Sequence, residues 1–99
     1  MEIIKSQDGS EITILLDKKL SAVTADELEK KLSEILLPDV KIFTVDMQKL
    51  VYVSSAGLRV LLKAQKIMNK QGTMNIKNSV PEVLKIFETT GFDEILKIK

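Results

Sequence analysis

Two adjacent hydroxyls, Ser54 and Ser55, sit inside the segment V-Y-V-S-S-A-G-L-R-V-L-L at residues 51 to 62. An apolar run precedes them and a helical pattern follows at once. The spacing therefore predicts a strand that delivers both serines to a helix start. Backbone N–H groups there lack intrahelical partners, and the helix dipole adds partial positive charge. A serine at that place can cap the helix. It can also carry a phosphate, which brings about −1.5 to −2 charge to donors already suited to an anion. Arg59 stands one turn beyond Ser55 and can pair with such a phosphate. The pair thus supports two uses, capping alone or a local electrostatic switch. Gly57 also has two readings. It keeps bulk away from a docking surface, or it is a tolerated helix glycine costing about 1 kcal/mol relative to alanine. Arg59, Lys63, Lys66 and Lys70 fall at spacings of four, three and four, as a solvated helix face or as a docking edge for an acidic partner.

Catalysis by these serines lacks its companions. The chain has no histidine and no cysteine, which removes the usual general base, thiol nucleophiles, disulfides and zinc–thiolate sites. S-x-x-K fails after both serines, because those offsets hold Gly57 and Leu58, and G-x-S-x-G and the P-loop signature are absent as well. Asp8, Asp17, Asp39, Asp46 and Asp93 show no calcium-loop or two-metal spacing. The expectation is a protein that is not an enzyme and uses no cofactor or metal. Fifteen Lys+Arg against fourteen Asp+Glu give a net charge of +1, which favours neither nucleic acid nor an anionic membrane as partner. No apolar run is long enough to span a bilayer, and the N-terminus lacks a signal-peptide pattern, so a cytoplasmic location is expected.

The elements that must position the serines can be read around them. Ninety-nine residues, 44% hydrophobic, make one domain with one modest core. Residues 3–6 and 11–16 read as strands joined by a tight turn at Asp8-Gly9, with Ile12, Ile14 and Leu16 on a buried face. Thr24-Ala25-Asp26-Glu27 reads as a helix start with Thr24 as cap and Glu27 completing a capping box. Leu28, Leu32, Ile35 and Leu36 mark that helix's stripe, and Pro38 stops it near Leu37. Residues 42–47 form a dense strand with apolar residues on both faces, as if covered on both sides. Residues 48–50 read as a connector, and residues 51–53 lead into the serines. The second helix runs over 55–69, buries Leu58, Leu61, Leu62 and Met68, and ends at Gly72 in a left-handed cap. Residues 73–77 are a strand. Ser79 caps a third helix, with Glu82 completing a capping box and Pro81 in its first turn, and Gly91 ends it. Residues 94–98 make a last short strand, and Met47, Met68 and Met74 fill the core. The resulting order, β-β-α-β-α-β-α-β, is that of an α/β fold with a mixed, largely parallel sheet.

This order and the segment D-M-Q-K-L-V-Y-V-S-S-A-G-L-R-V-L-L at 46 to 62 resemble the STAS domain, specifically the bacterial anti-sigma factor antagonists. T-A-D-E-L at 24 to 28, G-T-M-N-I at 72 to 76 and V-P-E-V-L-K-I-F-E-T-T-G-F at 80 to 92 are also similar to that family. The resemblance implies a sheet packed against helices and a protein that binds an anti-sigma factor with serine kinase activity, releasing a sigma factor. It implies Ser55 as the phosphoacceptor, phosphorylation that weakens binding, and a separate phosphatase that restores it. It places Ser21, Thr24, Ser54, Ser55, Ala56, Gly57, Arg59 and Lys63 on the partner-binding surface. The other implied role is an unphosphorylated accessory subunit of a transport or other regulatory complex. The chain departs from the family's common pattern at two positions, where Ser54 and Ser21 stand in place of aspartates, removing negative charge from around Ser55. Lys18 and Lys19, with no glycine, occupy the approach to the first helix, which implies a loop with little freedom to adapt.

Overall fold

The structure, a computed structural model, describes residues 1–98. It contains β1 (Glu2–Lys5), β2 (Glu11–Leu20), α1 (Ala22–Ile35), β3 (Ile42–Val53), α2 (Ser55–Asn69), β4 (Thr73–Lys77), α3 (Pro81–Thr90) and a closing 3-10 turn (Phe92–Glu94). The four strands form one sheet in sequence order, β1–β2 antiparallel and β2–β3 and β3–β4 parallel. Expected and observed architecture agree in class, but not at the end of the chain. Residues 94–98 do not add a strand. Phe92–Glu94 turns tightly instead, and only Ile98 makes a single parallel bridge to Ile76.

Sequential parallel strands require crossover helices, and the right-handed rule puts α1 and α2 on the same face of the sheet. That face carries Ile12, Ile14, Phe43, Val45, Met74 and Ile76, each no more than 2% exposed. Val83 and Phe87 of α3 join the same core. The opposite face stays open. Its cross-strand row Ile4–Thr13–Thr44–Asn75 holds an exposed isoleucine and three half-buried polar residues. The expectation that β3 is covered on both faces is therefore corrected: Ile42 is exposed and Thr44 and Asp46 are only half-buried.

β2 and β3 are also longer than their alternation predicts. β3 carries two extra residues against β2, where Asp46 to Lys49 spans Leu15 to Asp17 and Leu50 to Tyr52 spans Lys18 to Lys19. Such bulges break the period of two. Met47, Leu50 and Val53 consequently point inward at intervals of three, and residues 48–50, expected as a connector, are strand. Lys18 lies in this irregular stretch with a left-handed φ of 60°. Asp46 anchors the bulged stretch: its Oδ1 accepts the Gln48 N–H at 3.0 Å and the Asn78 side-chain amide at 3.2 Å. The hairpin turn holds at Asp8-Gly9, with Gly9 at φ 77°. There the Ser10 N–H, then the Ser10 and Ser6 hydroxyls, hold the exposed Asp8 carboxyl below its ordinary pKa.

Three helix boundaries differ from expectation. α1 starts at Ala22, with Ser21 as its cap and Thr24, not Glu27, completing the capping box. α3 is capped by Val80 without any side-chain hydrogen bond, and the Ser79 hydroxyl contacts the Met47 sulfur at 3.9 Å instead. Gly72 is not a left-handed cap. α2 ends at Lys70 in right-handed geometry, and positive φ among the glycines is confined to Gly9 and Gly91.

Candidate functional site

Parallel strands begin at one end of the sheet and deliver their chains to helices at the other. Leu20 and Val53 are register partners at the ends of β2 and β3, so α1 and α2 start side by side. Ser21 and Ser54 are the two N-caps, held one strand apart. The Ser54 N–H continues the ladder to the Leu20 carbonyl at 2.9 Å. Its hydroxyl oxygen accepts the Gly57 N–H at 3.0 Å, and its carbonyl accepts the Leu58 N–H at 2.9 Å.

This arrangement gives the two serines different work. Ser54 is half-buried and committed to the cap, whereas Ser55 is exposed, and its hydroxyl has no hydrogen-bond partner among the described residues. The amides of Ser55 and Ala56 stay unpaired at the helix mouth in the same set. Asp and Ser serve almost equally as N-caps. Serines at 21 and 54 therefore preserve the capping hydrogen bonds that aspartates would make, and the only thing removed is the carboxylate charge. Ser54→Ala should cost about 1 kcal/mol, while Ser55→Ala should change stability by less than about 0.5 kcal/mol. Thermal unfolding of the two variants checks this split.

The remaining site residues fall into three groups. Ser21 and Thr24 are bound to each other: the Thr24 N–H donates to the Ser21 oxygen at 3.3 Å, and the Ser21 N–H donates to the Thr24 oxygen at 2.7 Å. Thr24 also donates to the Lys19 carbonyl at 2.8 Å, so the approach to α1 is pinned. Gly57 is buried, and its place is set from below. A Cβ there would lie 2.8 Å from the Leu20 Cγ and 3.0 Å from the Leu20 carbonyl oxygen. The glycine lets α2 settle onto the end of β2, and neither of its two sequence readings included that packing role. Ala56 is half-buried beside it. Arg59 is exposed, with no ion pair among the described residues, whereas Lys63 turns toward α1 and meets Glu29 at 3.2 Å. That exposed pair is worth little in stability, and it ties the Lys63 amine to α1.

Sequence reasoning missed the third wall of the site. An open groove of about 450 Å³ runs between the start of α2 and α3, with Tyr52, Val53, Ser55, Leu58, Lys85 and Ile86 among its lining residues. Tyr52 is 46% exposed there, although it is apolar enough to bury. The signal for α3 was its own amphipathic pattern, which says nothing about which strand end it will face.

A sequence model of the STAS domain matches residues 2–99. This chain belongs to the STAS domain family, in its anti-sigma factor antagonist branch. Members of that family are regulatory adaptors without catalytic activity of their own. Among the described residues of this STAS domain, no three Asp or Glu side chains gather as a metal site would need. No helix is long and apolar enough to cross a membrane. The STAS domain is 32% identical over 80 residues to BtrV of Bordetella bronchiseptica, named as an anti-sigma factor antagonist, covering 80% of this chain and 69% of that one. It is 26% identical over 97 residues to the anti-sigma-B factor antagonist of Listeria monocytogenes, covering 97% and 85% of the two chains. Its fold matches the antagonist SpoIIAA in unphosphorylated form, with a TM-score of 0.83 at 17% identity over 99% of this chain and 86% of that one. The match to Bacillus SpoIIAA in phosphorylated form has a TM-score of 0.74 at 16% identity, over 99% and 89%.

Proposed function

We propose that this STAS domain is an anti-sigma factor antagonist that binds an anti-sigma factor with serine kinase activity, frees a sigma factor, and is switched off by phosphorylation of Ser55. The observation that carries this reading is the division of labour at the start of α2. Ser54 performs the cap, so Ser55 is left exposed, with its hydroxyl available to a visiting enzyme. In the transfer, the Ser55 oxygen forms a bond to the γ-phosphorus of ATP. The bond to the β-phosphate oxygen breaks and ADP leaves, and the hydroxyl proton passes to a base of the kinase. The resulting dianion meets the unpaired amides of Ser55 and Ala56 and the guanidinium of Arg59, so the fold tolerates it. A partner docked over Ser55 meets new charge instead. The names of the sequence relatives support the antagonist role over that of a transporter subunit, and a phosphatase would close the cycle.

The test is a pull-down of the partner followed by mass spectrometry of residues 54–59 with and without ATP. The expected result is a kinase-type partner, phosphate on Ser55 of the wild type, and none on folded S55A. Phosphate entering S55A at the wild-type rate, or a transport ATPase recovered with Ser55 unmodified, would overturn the reading.

A further inference from the structure

We infer that this chain associates head to tail with copies of itself: an open hollow on β2 and β3, rimmed by Lys18, Lys19 and Lys49, receives the acidic segment Asp93-Glu94-Ile95 of a second copy. The inference is independent of the Ser55 reading and starts from the two bulges. Strict alternation from Ile12, Ile14 and Leu16 would point residue 18 into the core, and alternation from Phe43, Val45 and Met47 would point residues 49 and 51 there. The bulges bury Leu50 instead and turn all three outward, with Lys18 at its left-handed φ of 60°. Two lysines gain water by this. A valine gains nothing, yet Val51 is 54% exposed. It shares a hollow of about 720 Å³ with Asp17, Lys18, Lys19 and Lys49.

Charge specifies the occupant. None of the three lysines makes an ion pair among the described residues. Asp17, the one carboxylate of the lining, is held by the Met1 amine at 3.8 Å. The hollow therefore presents three unmatched cations around an exposed valine. Its complement is an apolar residue beside carboxylates, and the chain carries one just after α3. Asp93 and Glu94 are exposed, without ion pairs among the described residues, and Ile95 next to them is 50% exposed. Among the described residues of this stretch, Lys97 is the one cation against the two carboxylates. The segment is fixed in place. The Ile95 and Leu96 N–H groups bond the Phe92 carbonyl at 3.0 and 2.8 Å, and Ile98 bridges to Ile76 of β4. Ile76 is in register with Val45, short of the Lys49–Val51 stretch, so the segment stays away from its own hollow and the contact is between copies. Such a contact joins two different patches. Each copy keeps one hollow or one acidic segment free, and association continues past the dimer. Both patches are small beside a stable interface of about 1,600 Å², so the association is weak and needs high protein concentration.

The experiment is sedimentation equilibrium of the full chain at low salt, from about 20 μM to about 2 mM, the weak end of protein association. The expected result is a mass that rises with concentration past the dimer and falls back when salt is raised. K18E/K49E and D93K/E94K should each weaken association by about tenfold or more, whereas K5E/K66E, with the same charge change as the first pair, should match the wild type. An equal mixture of the two reversed variants should associate again, because the acidic hollow of one meets the basic segment of the other. Dilution of the wild type should shift the amides of Lys19, Val51, Glu94 and Ile95, and the mixture should shift the same ones. A chain that stays monomeric throughout returns the hollow to a partner of another sequence and overturns the inference. Undiminished association in both reversed variants, equal loss in K5E/K66E, or a mixture that does not recover overturns it as well. Should either reversed variant prove unfolded by circular dichroism, the wild-type amide shifts decide, and shifts confined to other surfaces overturn the assignment.

Discussion

Gly72→Ala is expected to destabilise the protein by about 3 kcal/mol, which for a chain of this size lowers Tm by roughly 12–24 °C. The reason lies where α2 hands over to β4. A Cβ on residue 72 would run into the Lys41 backbone carbonyl, with the Lys41 carbonyl carbon at 2.6 Å and its Cα at 2.8 Å. No side chain can swing aside there, because every obstructing atom is backbone. Both flanks are also tied. The Gly72 N–H bonds the Met68 carbonyl at 2.7 Å, and the Thr73 N–H bonds the same Lys41 carbonyl at 2.8 Å, in line with the Ile42–Thr73 register pair. Relief would mean opening the first rungs of β3–β4. Alanine's gain from a less free unfolded chain, about 0.4–1 kcal/mol, is too small to offset this. Urea unfolding of G72A measures the cost directly, and a loss below about 1 kcal/mol would show that the β3–β4 start yields more easily than its hydrogen bonds imply.

That glycine also illustrates what the sequence could and could not disclose. Gly72 after a helical stripe is a fair signal that a helix ends nearby, and α2 does end just before it, at Asn69 with Lys70 as its cap. A close backbone approach and a left-handed cap place the same residue at the same point, however, and nothing local separates them. Gly91 shows the other outcome, with φ 78° closing α3 as its position predicted. The caps of α1 went wrong for a related reason. Ser21 and Thr24 lie three apart, as do Thr24 and Glu27, and both pairs satisfy the capping-box spacing. The choice was made by β2, which runs on to Leu20 and leaves no room for a loop before Ser21. Alternation revealed the central face of β2 and β3, because Ile12, Ile14, Phe43 and Val45 keep a period of two. It failed after Asp46, where the two bulges shift the inward positions to Met47, Leu50 and Val53. Bulges depend on pairing with another strand, so no local pattern announces them. The candidate site was legible because strand, hydroxyl and helix are contiguous at residues 51–62. The α3 wall of the groove was not, since Lys85 and Ile86 meet Ser55 only through the fold.

Ser55→Asp should lower affinity for the kinase-type partner by about 100-fold, or roughly 2.7 kcal/mol, without lowering stability. The two readouts diverge because they sample different surroundings of the same charge. In the free protein, a carboxylate at the first position of α2 lies beside the unpaired Ser55 and Ala56 amides and the positive end of the dipole. That placement is worth about 0.3–1 kcal/mol in favour of the fold. In the complex, the same carboxylate must give up water against the partner's surface, and a buried charge without a matched partner costs several times that amount. A destabilised mutant that merely binds less is thereby distinguished from a switched one. S55N isolates the charge from the added atoms, being close to aspartate in size but neutral, and it should retain affinity within about threefold of the wild type. Raising salt screens the long-range repulsion but leaves desolvation in place, so S55D should remain the weaker binder at high ionic strength. Calorimetric affinities and melting temperatures for wild type, S55N and S55D would test all three expectations together. If S55N lost as much affinity as S55D, steric exclusion at the mouth of α2 would replace the electrostatic account of the switch.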